Sequence, residues 1–287
     1  MLFVQNGDLW VWENDRVRQL TQTNDLYQAV WSPNGQQIAA IQRALSVSDL
    51  VVLDADGTNL QQLTKNGPSK GDSFARAKDS IWALHPIWST NGSEIFYLSQ
   101  SGPPVGTPPV ENPLAIYRIP ASGGTRKVVF SPRRGNFGRL QLLKDGDFFL
   151  MYANGQIDTT TQVFRYNRTK GIMPIKGMLD ASYDPALSPD GRWLAFAARV
   201  EKQHHVFVMS LLNGQITQVS TSGAARAPVW SPDGMQLAFL DSANNKRRFN
   251  LVVVDLTEQL GRVMISKTTN LTTDLQIDAD SGVSWTR

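Results

Sequence analysis

Four segments of this chain are close copies of one another, and their recurrence is the strongest constraint on its fold. They are Trp31-Ser32-Pro33-Asn34-Gly35, Trp88-Ser89-Thr90-Asn91-Gly92, Leu187-Ser188-Pro189-Asp190-Gly191 and Trp230-Ser231-Pro232-Asp233-Gly234. A degraded fifth copy is Leu142-Leu143-Lys144-Asp145-Gly146. The copies lie 43 to 57 residues apart, a period typical of propeller blades or solenoid units. Within each, Pro presets φ at the second turn position, Asn or Asp suits the third, and Gly accepts positive φ at the fourth. The segment therefore reads as a tight hairpin between two strands, the second at 37–41, 94–98, 148–151, 193–197 and 236–240.

A second hairpin follows in most units, around Asp54-Ala55-Asp56-Gly57, Ser122-Gly123-Gly124 and Asn213-Gly214, so each unit has four strands. No stretch carries a helical apolar period. The two chain ends complete the count. Val283-Ser284-Trp285-Thr286 reads as the first strand of another unit, and 2–5, 8–12 and 17–20 read as its remaining three. One blade built from both termini closes a ring and removes exposed sheet edges. A solenoid would need polar capping units instead. The expectation is one all-β domain over 1–287, a six-bladed propeller of four-stranded antiparallel blades. The blades fall at about 21–64, 85–130, 139–176, 184–219, 227–266, and 282–287 with 1–20.

The turns followed by Leu194-Ala195-Phe196 and Leu237-Ala238-Phe239 resemble the repeats of the TolB-like propeller family. They are also similar to the propeller of prolyl-oligopeptidase-type proteins. The resemblance covers essentially the whole chain and is weakest over 133–178. It implies the fold, and with it a periplasmic or extracellular setting. TolB itself is a periplasmic protein-interaction module, with an added N-terminal α/β domain that these residues do not include. One propeller architecture hosts many roles, so function must be read from sites.

Composition narrows those roles. The net charge of +3 is small for 287 residues, and nucleic-acid binders concentrate far more positive charge on one face, so no nucleic-acid partner is expected. The absence of cysteine excludes disulfides and thiolate metal sites. No run of about 18 apolar residues exists to span a membrane. The first residues lack the pattern of a secretory leader, which leaves either a cytoplasmic protein or one whose leader or upstream domain has been removed.

Strand order sorts the loops. Connections from strand one to two and three to four emerge on one face and are short turns. Connections from two to three, and from four to the next blade, emerge on the other and hold most of the length: 65–85, 99–112, 131–138, 242–248 and 266–282. Long loops grouped on one face point to binding there. Phe74, Arg76, Trp82, Arg133, Arg134, Phe137 and Arg247 are its candidate partner contacts, aromatic and Arg anchors being the side chains that dominate interfaces. Counting three and four places back from each repeat mark places Tyr27, Gln28, His85, Arg139, Tyr183, Asp184 and Arg226 at the mouth of the central channel, with Ser281 from the sixth blade. Convergent polar groups in a concave site suit a ligand, and the two arginines suggest one bearing a carboxylate.

Catalytic motifs are weak. Gly67-Pro68-Ser69-Lys70-Gly71 matches a hydrolase nucleophile elbow, but that motif needs a strand before it and a helix after it. His204-His205 would point to opposite faces of a strand and cannot easily share one metal. Asp54-Ala55-Asp56-Gly57 lacks the downstream Glu of a calcium loop. The chain is therefore expected to be no enzyme and to need no cofactor or metal. It would act as a monomeric module that binds a protein or peptide through its long-loop face and channel mouth. Two alternatives stand beside this: a propeller that gates or orients substrate for a separate or removed hydrolase domain, and a small-molecule or glycan receptor.

Overall fold

The structure is a computed structural model describing residues 1–45, 47–67, 81–102, 113–132, 136–153, 161–242, 248–273 and 275–286. Its strands form six four-stranded antiparallel sheets. β1 (Leu2–Gln5), β2 (Asp8–Glu13) and β3 (Arg16–Gln19) share a sheet with β24 (Val283–Ser284). The innermost strands of the other five blades are β4 (Leu26–Trp31), β8 (Ala83–Trp88), β12 (Asn136–Leu142), β16 (Ser182–Leu187) and β20 (Ala225–Trp230). Each of these ends on its repeat mark. The ring closes as expected: Leu2 pairs with Ser284 and Phe3 with Val283.

The repeated turn has the local chemistry its sequence suggests. In the first copy Gly35 N donates to Ser32 O at 2.9 Å, and Gly35 has φ of 68°. The Ser32 hydroxyl donates to Asn34 Oδ1 at 2.8 Å and accepts from Gln37 N at 2.9 Å. The same pair of bonds recurs at Ser231, with Asp233 and Gln236. Serine thus ties the turn to the strand that follows, and Asp or Asn orients the serine.

Blades meet through their apolar faces. Among the described residues six buried clusters occur, one at each junction between neighbouring blades. The junction of the fourth and fifth is filled by Trp193, Val208, Leu237 and Val254, and that of the second and third by Phe96, Phe148 and Leu150. The repeat-mark indoles join blades by hydrogen bonds as well. Trp88 Nε1 donates to Val30 O at 3.2 Å, and Trp230 Nε1 donates to Ala186 O at 3.0 Å. In both cases the acceptor is the residue just before the preceding mark.

One blade departs from the expected outline. Its outer hairpin, β22 (Asn250–Gln259) and β23 (Arg262–Asn270), carries strand through 266–270, where a loop was expected. These residues alternate no apolar face and are held as strand by pairing with β22, Val252 lying opposite Asn270.

Candidate functional site

Five of the six innermost strands are interrupted near their start. The pairing register shifts between Tyr27 and Val30, Leu84 and Ile87, Phe137 and Leu140, Tyr183 and Ala186, and Arg226 and Val229. These are β-bulges, which bend a strand and re-aim a side chain. In four of them the residue three places before the mark is left-handed without being glycine: Gln28, His85, Asp184 and Ala227, with φ of 51° to 54°. Gly282 holds the same place in the blade built from both termini, with φ of 73°.

Gln28 and Asp184 are buried and act across blade junctions. Gln28 Oε1 accepts from His85 N at 2.7 Å, and Asp184 Oδ2 accepts from Ala227 N at 3.1 Å. Asp184 also gathers two guanidinium groups, Arg139 Nε at 3.2 Å and Arg226 Nε at 3.6 Å. Arg139 reaches across the channel and donates to Asp280 O at 2.6 Å and Ala279 O at 3.3 Å. Gly282 makes room for it, because a Cβ there would lie 2.0 Å from Arg139 Nη1. Arg226 Nη1 contacts Asp280 Oδ1 at 2.9 Å. The expected cationic funnel is thus offset, since both arginines already face carboxylates. Sequence reasoning counted Asp280 only among the acidic residues of the long-loop face, and missed its place at the channel mouth beside Ala279. Their signal was faint, namely a glycine at 282 in register with the other marks.

His85 stands among these charges. Enclosure in the channel, then the positive charge of Arg139, push its imidazolium down to about 3, against a smaller opposing pull from Asp280. It is therefore neutral at ordinary pH. Tyr183 bonds His204 Nδ1 through its hydroxyl at 2.5 Å. Burial, helped by Asp184, pushes the phenol up to about 12. The Arg226 guanidinium lies 5.7 Å from the Tyr183 ring and that of Arg43 4.1 Å from the Tyr27 ring. Tyr27 and Arg226 line a cavity of about 430 Å³ together with Phe249, Ile277, Asp278 and Asp280. The innermost strands start on the long-loop face, so this cavity opens there.

A second cavity, of about 470 Å³, lies at the other end of the channel. Its wall is drawn from all six blades, with Trp31, Trp88, Leu142, Leu187, Trp230 and Trp285 among its residues. The sequence marked these residues as turn signals and gave no hint that they frame a hollow.

The outer-loop candidates fare differently. Phe74, Arg76, Arg133, Arg134 and Arg247 lie outside the described residues, as does Ser69. Trp82 is half-buried, its backbone N–H donating to Gln100 Oε1 at 2.5 Å. Phe137 is no outer anchor. It belongs to β12 and is 4% exposed, with its ring 5.5 Å from Phe130 and 5.7 Å from Tyr152. Among the described residues no group of three His, Asp or Glu side chains could hold a metal ion. No helix among them is long and apolar enough to cross a membrane.

No family model matches the chain. Among solved structures it is similar to TolB from Acinetobacter baumannii, with TM-score 0.68, 15% identity, and 96% of this chain and 64% of that one covered. A putative TolB from Agrobacterium tumefaciens gives 0.58 and 16%, covering 89% and 86%. The chain has a TolB-like six-bladed β-propeller fold. Among curated proteins it is 24% identical over 282 residues to dipeptidyl-peptidase 5 of Trichophyton schoenleinii, and equally to that of Arthroderma benhamiae. The alignment covers 90% of this chain and 36% of each relative, so the chain spans about a third of their length. These relatives are named as peptidases, which overturns the expectation that the chain is no enzyme.

Proposed function

We infer that this propeller binds extended polypeptide at the long-loop mouth of its channel and presents it to peptidase chemistry of the kind its curated relatives are named for. The observation that carries this reading is the cavity shared by Tyr27, Arg226, Phe249, Asp278 and Asp280. It sets aromatic faces beside both signs of charge, which suits a backbone with mixed side chains better than one rigid small molecule. Small-ligand sites are mainly apolar with a few polar groups, whereas interfaces with peptides use aromatic and arginine anchors. The peptidase relatives add a second support, because the match to them spans nearly this whole chain and leaves most of their length outside it.

The test is fluorescence anisotropy with labelled unstructured peptides of mixed sequence. Binding weakened about tenfold or more by Tyr27→Ala and by Arg226→Ala supports the reading, since each removes a contact worth roughly 1.4 kcal/mol or more. Met235→Ala serves as the control, being exposed on the short-turn face. Absence of binding, or equal loss with the control, refutes it.

A further inference from the structure

The channel arginines have carboxylate partners, whereas among the described residues the partly buried Arg126 has none. Arg126 lies in a cavity of about 480 Å³ between the first two full blades, which Lys65, Thr64, Asn66 and Ser101 also line. Its guanidinium sits 4.5 Å from the Tyr117 ring, and Tyr117 in turn stacks on Tyr97 at 5.8 Å. Stacking on a ring face fixes the guanidinium plane and leaves its N–H edge to bind. Yet Arg126 Nη1 is buried and has no partner within 3.5 Å. The hydroxyl of Tyr97, a fully buried residue, also has none. Burial raises the Tyr97 phenol above its usual range, opposed first by a side-chain hydrogen bond from Arg126 and then by its charge, so the phenol and the guanidinium face each other.

Among the described residues the carboxylate whose charge reaches Tyr97 is Asp49, and it is already engaged. Its oxygens accept from Gln62 Nε2 at 2.9 Å, Thr64 Oγ1 at 2.7 Å and Asn66 N at 2.8 Å. Among the described residues neither Arg126 nor Lys65 forms an ion pair. A buried guanidinium with only a phenol beside it and no anion is undersatisfied, and a cavity of this volume has room for more than one water.

We propose that this inter-blade cavity is a binding site for an oxyanion, a phosphate or carboxylate group of a small molecule, gripped by the N–H edge of Arg126 with Lys65 beside it. The proposal is independent of the channel mouth. The test titrates the whole chain with inorganic phosphate, and separately with acetate and citrate, at constant ionic strength. Melting temperature is followed, with phosphate binding read in parallel by isothermal titration calorimetry. A saturable rise is expected, with affinity weakened about tenfold or more in Arg126→Gln, since charge-assisted hydrogen bonds are lost. Lys65→Gln, at an exposed position that is tolerant of change, should weaken it less and covers the case in which the Arg126 variant does not fold. A response to phosphate alone assigns a phosphate ligand, and a response to acetate or citrate as well assigns any oxyanion. No saturable response from any of the three, or responses undiminished in both variants, means that water fills the cavity and overturns the proposal.

Discussion

Asp184→Ala is the most informative perturbation of the channel. The Asp184 side chain is 7% exposed, and it faces Arg139 at 3.2 Å and Arg226 at 3.6 Å while accepting the Ala227 N–H at 3.1 Å. Removing one partner of a buried ion pair costs about 3–5 kcal/mol, because the charge left behind is not compensated. Both arginines keep other acceptors on the 279–280 segment, which places the expected loss at the low end, about 3 kcal/mol. Asp184→Asn keeps an acceptor for Ala227 and should recover roughly 1 kcal/mol of that. Urea unfolding followed by tryptophan fluorescence measures both, as midpoint shifts at unchanged slope. The reasoning also requires coupling: in an Arg139→Ala, Arg226→Ala background the Asp184→Ala cost should shrink markedly. A cost below about 1 kcal/mol in the otherwise unaltered chain, the range of ordinary surface substitutions, would refute the account, as would strict additivity.

Three further outcomes are expected. Deleting residues 283–287 removes the strand paired with Leu2 and Phe3 and the packing of Trp285 on its cluster. It should destabilise the ring by about 3 kcal/mol or more, and a melting temperature equal to that of the parent would show that closure contributes nothing. Gly282→Ala should cost about 1–2 kcal/mol for its left-handed backbone, plus the displacement of Arg139. In an Arg139→Ala background the second part disappears, so equal costs in the two backgrounds would exclude the packing argument. His85 binds its proton near 3 when folded, against an ordinary value of 6.5 when unfolded. The unfolded chain therefore takes up the proton first, and the stability held above pH 6.5 is lost as pH falls from 6.5 towards 3. The slope approaches about 1.4 kcal/mol per pH unit at most. His85→Gln should flatten that part of the stability profile between pH 6.5 and 4, and superimposable profiles would contradict the neutral assignment.

The parts of this molecule visible in its sequence are those written in local chemistry. Ser231, Pro232, Asp233 and Gly234 specify one turn through contacts within five residues, so the turn can be read wherever it recurs. The split blade was equally visible, because 283–286 carries a repeat mark and 2–5, 8–12 and 17–20 supply three strands that precede the first mark. The channel was visible only as a register. Counting back from the marks found Arg139 and Asp184, but not that Arg139 spans the channel to Ala279 and Asp280, some 140 positions away. Phe137 was misplaced because glycines at 135 and 138 suggest a loop, whereas tertiary packing against Phe130 and Tyr152 makes it strand and core. Arg126 carried no signal at all, since its interest lies in the anionic partner it lacks among the described residues.

The bulges explain why the channel mouth is so variable in sequence on so regular a frame. A non-glycine residue in the left-handed region costs about 1–2 kcal/mol, and four blades accept that cost at the same place with four different side chains. A ligand-contacting role cannot account for all four, because Ala227 has no polar side chain and is buried. What the positions do share is pairwise backbone linkage: at His85 and Ala227 the bulge turns an N–H towards the preceding blade, where Gln28 and Asp184, themselves at the other two bulges, accept it. The strain is therefore architectural, fixing neighbouring blades to one another around the axis. The side chain at each bulge is then free to differ, so His85 is held neutral and Arg139 is drawn across the channel. Gly282 opposite is reduced to the hydrogen atom that lets the guanidinium pass.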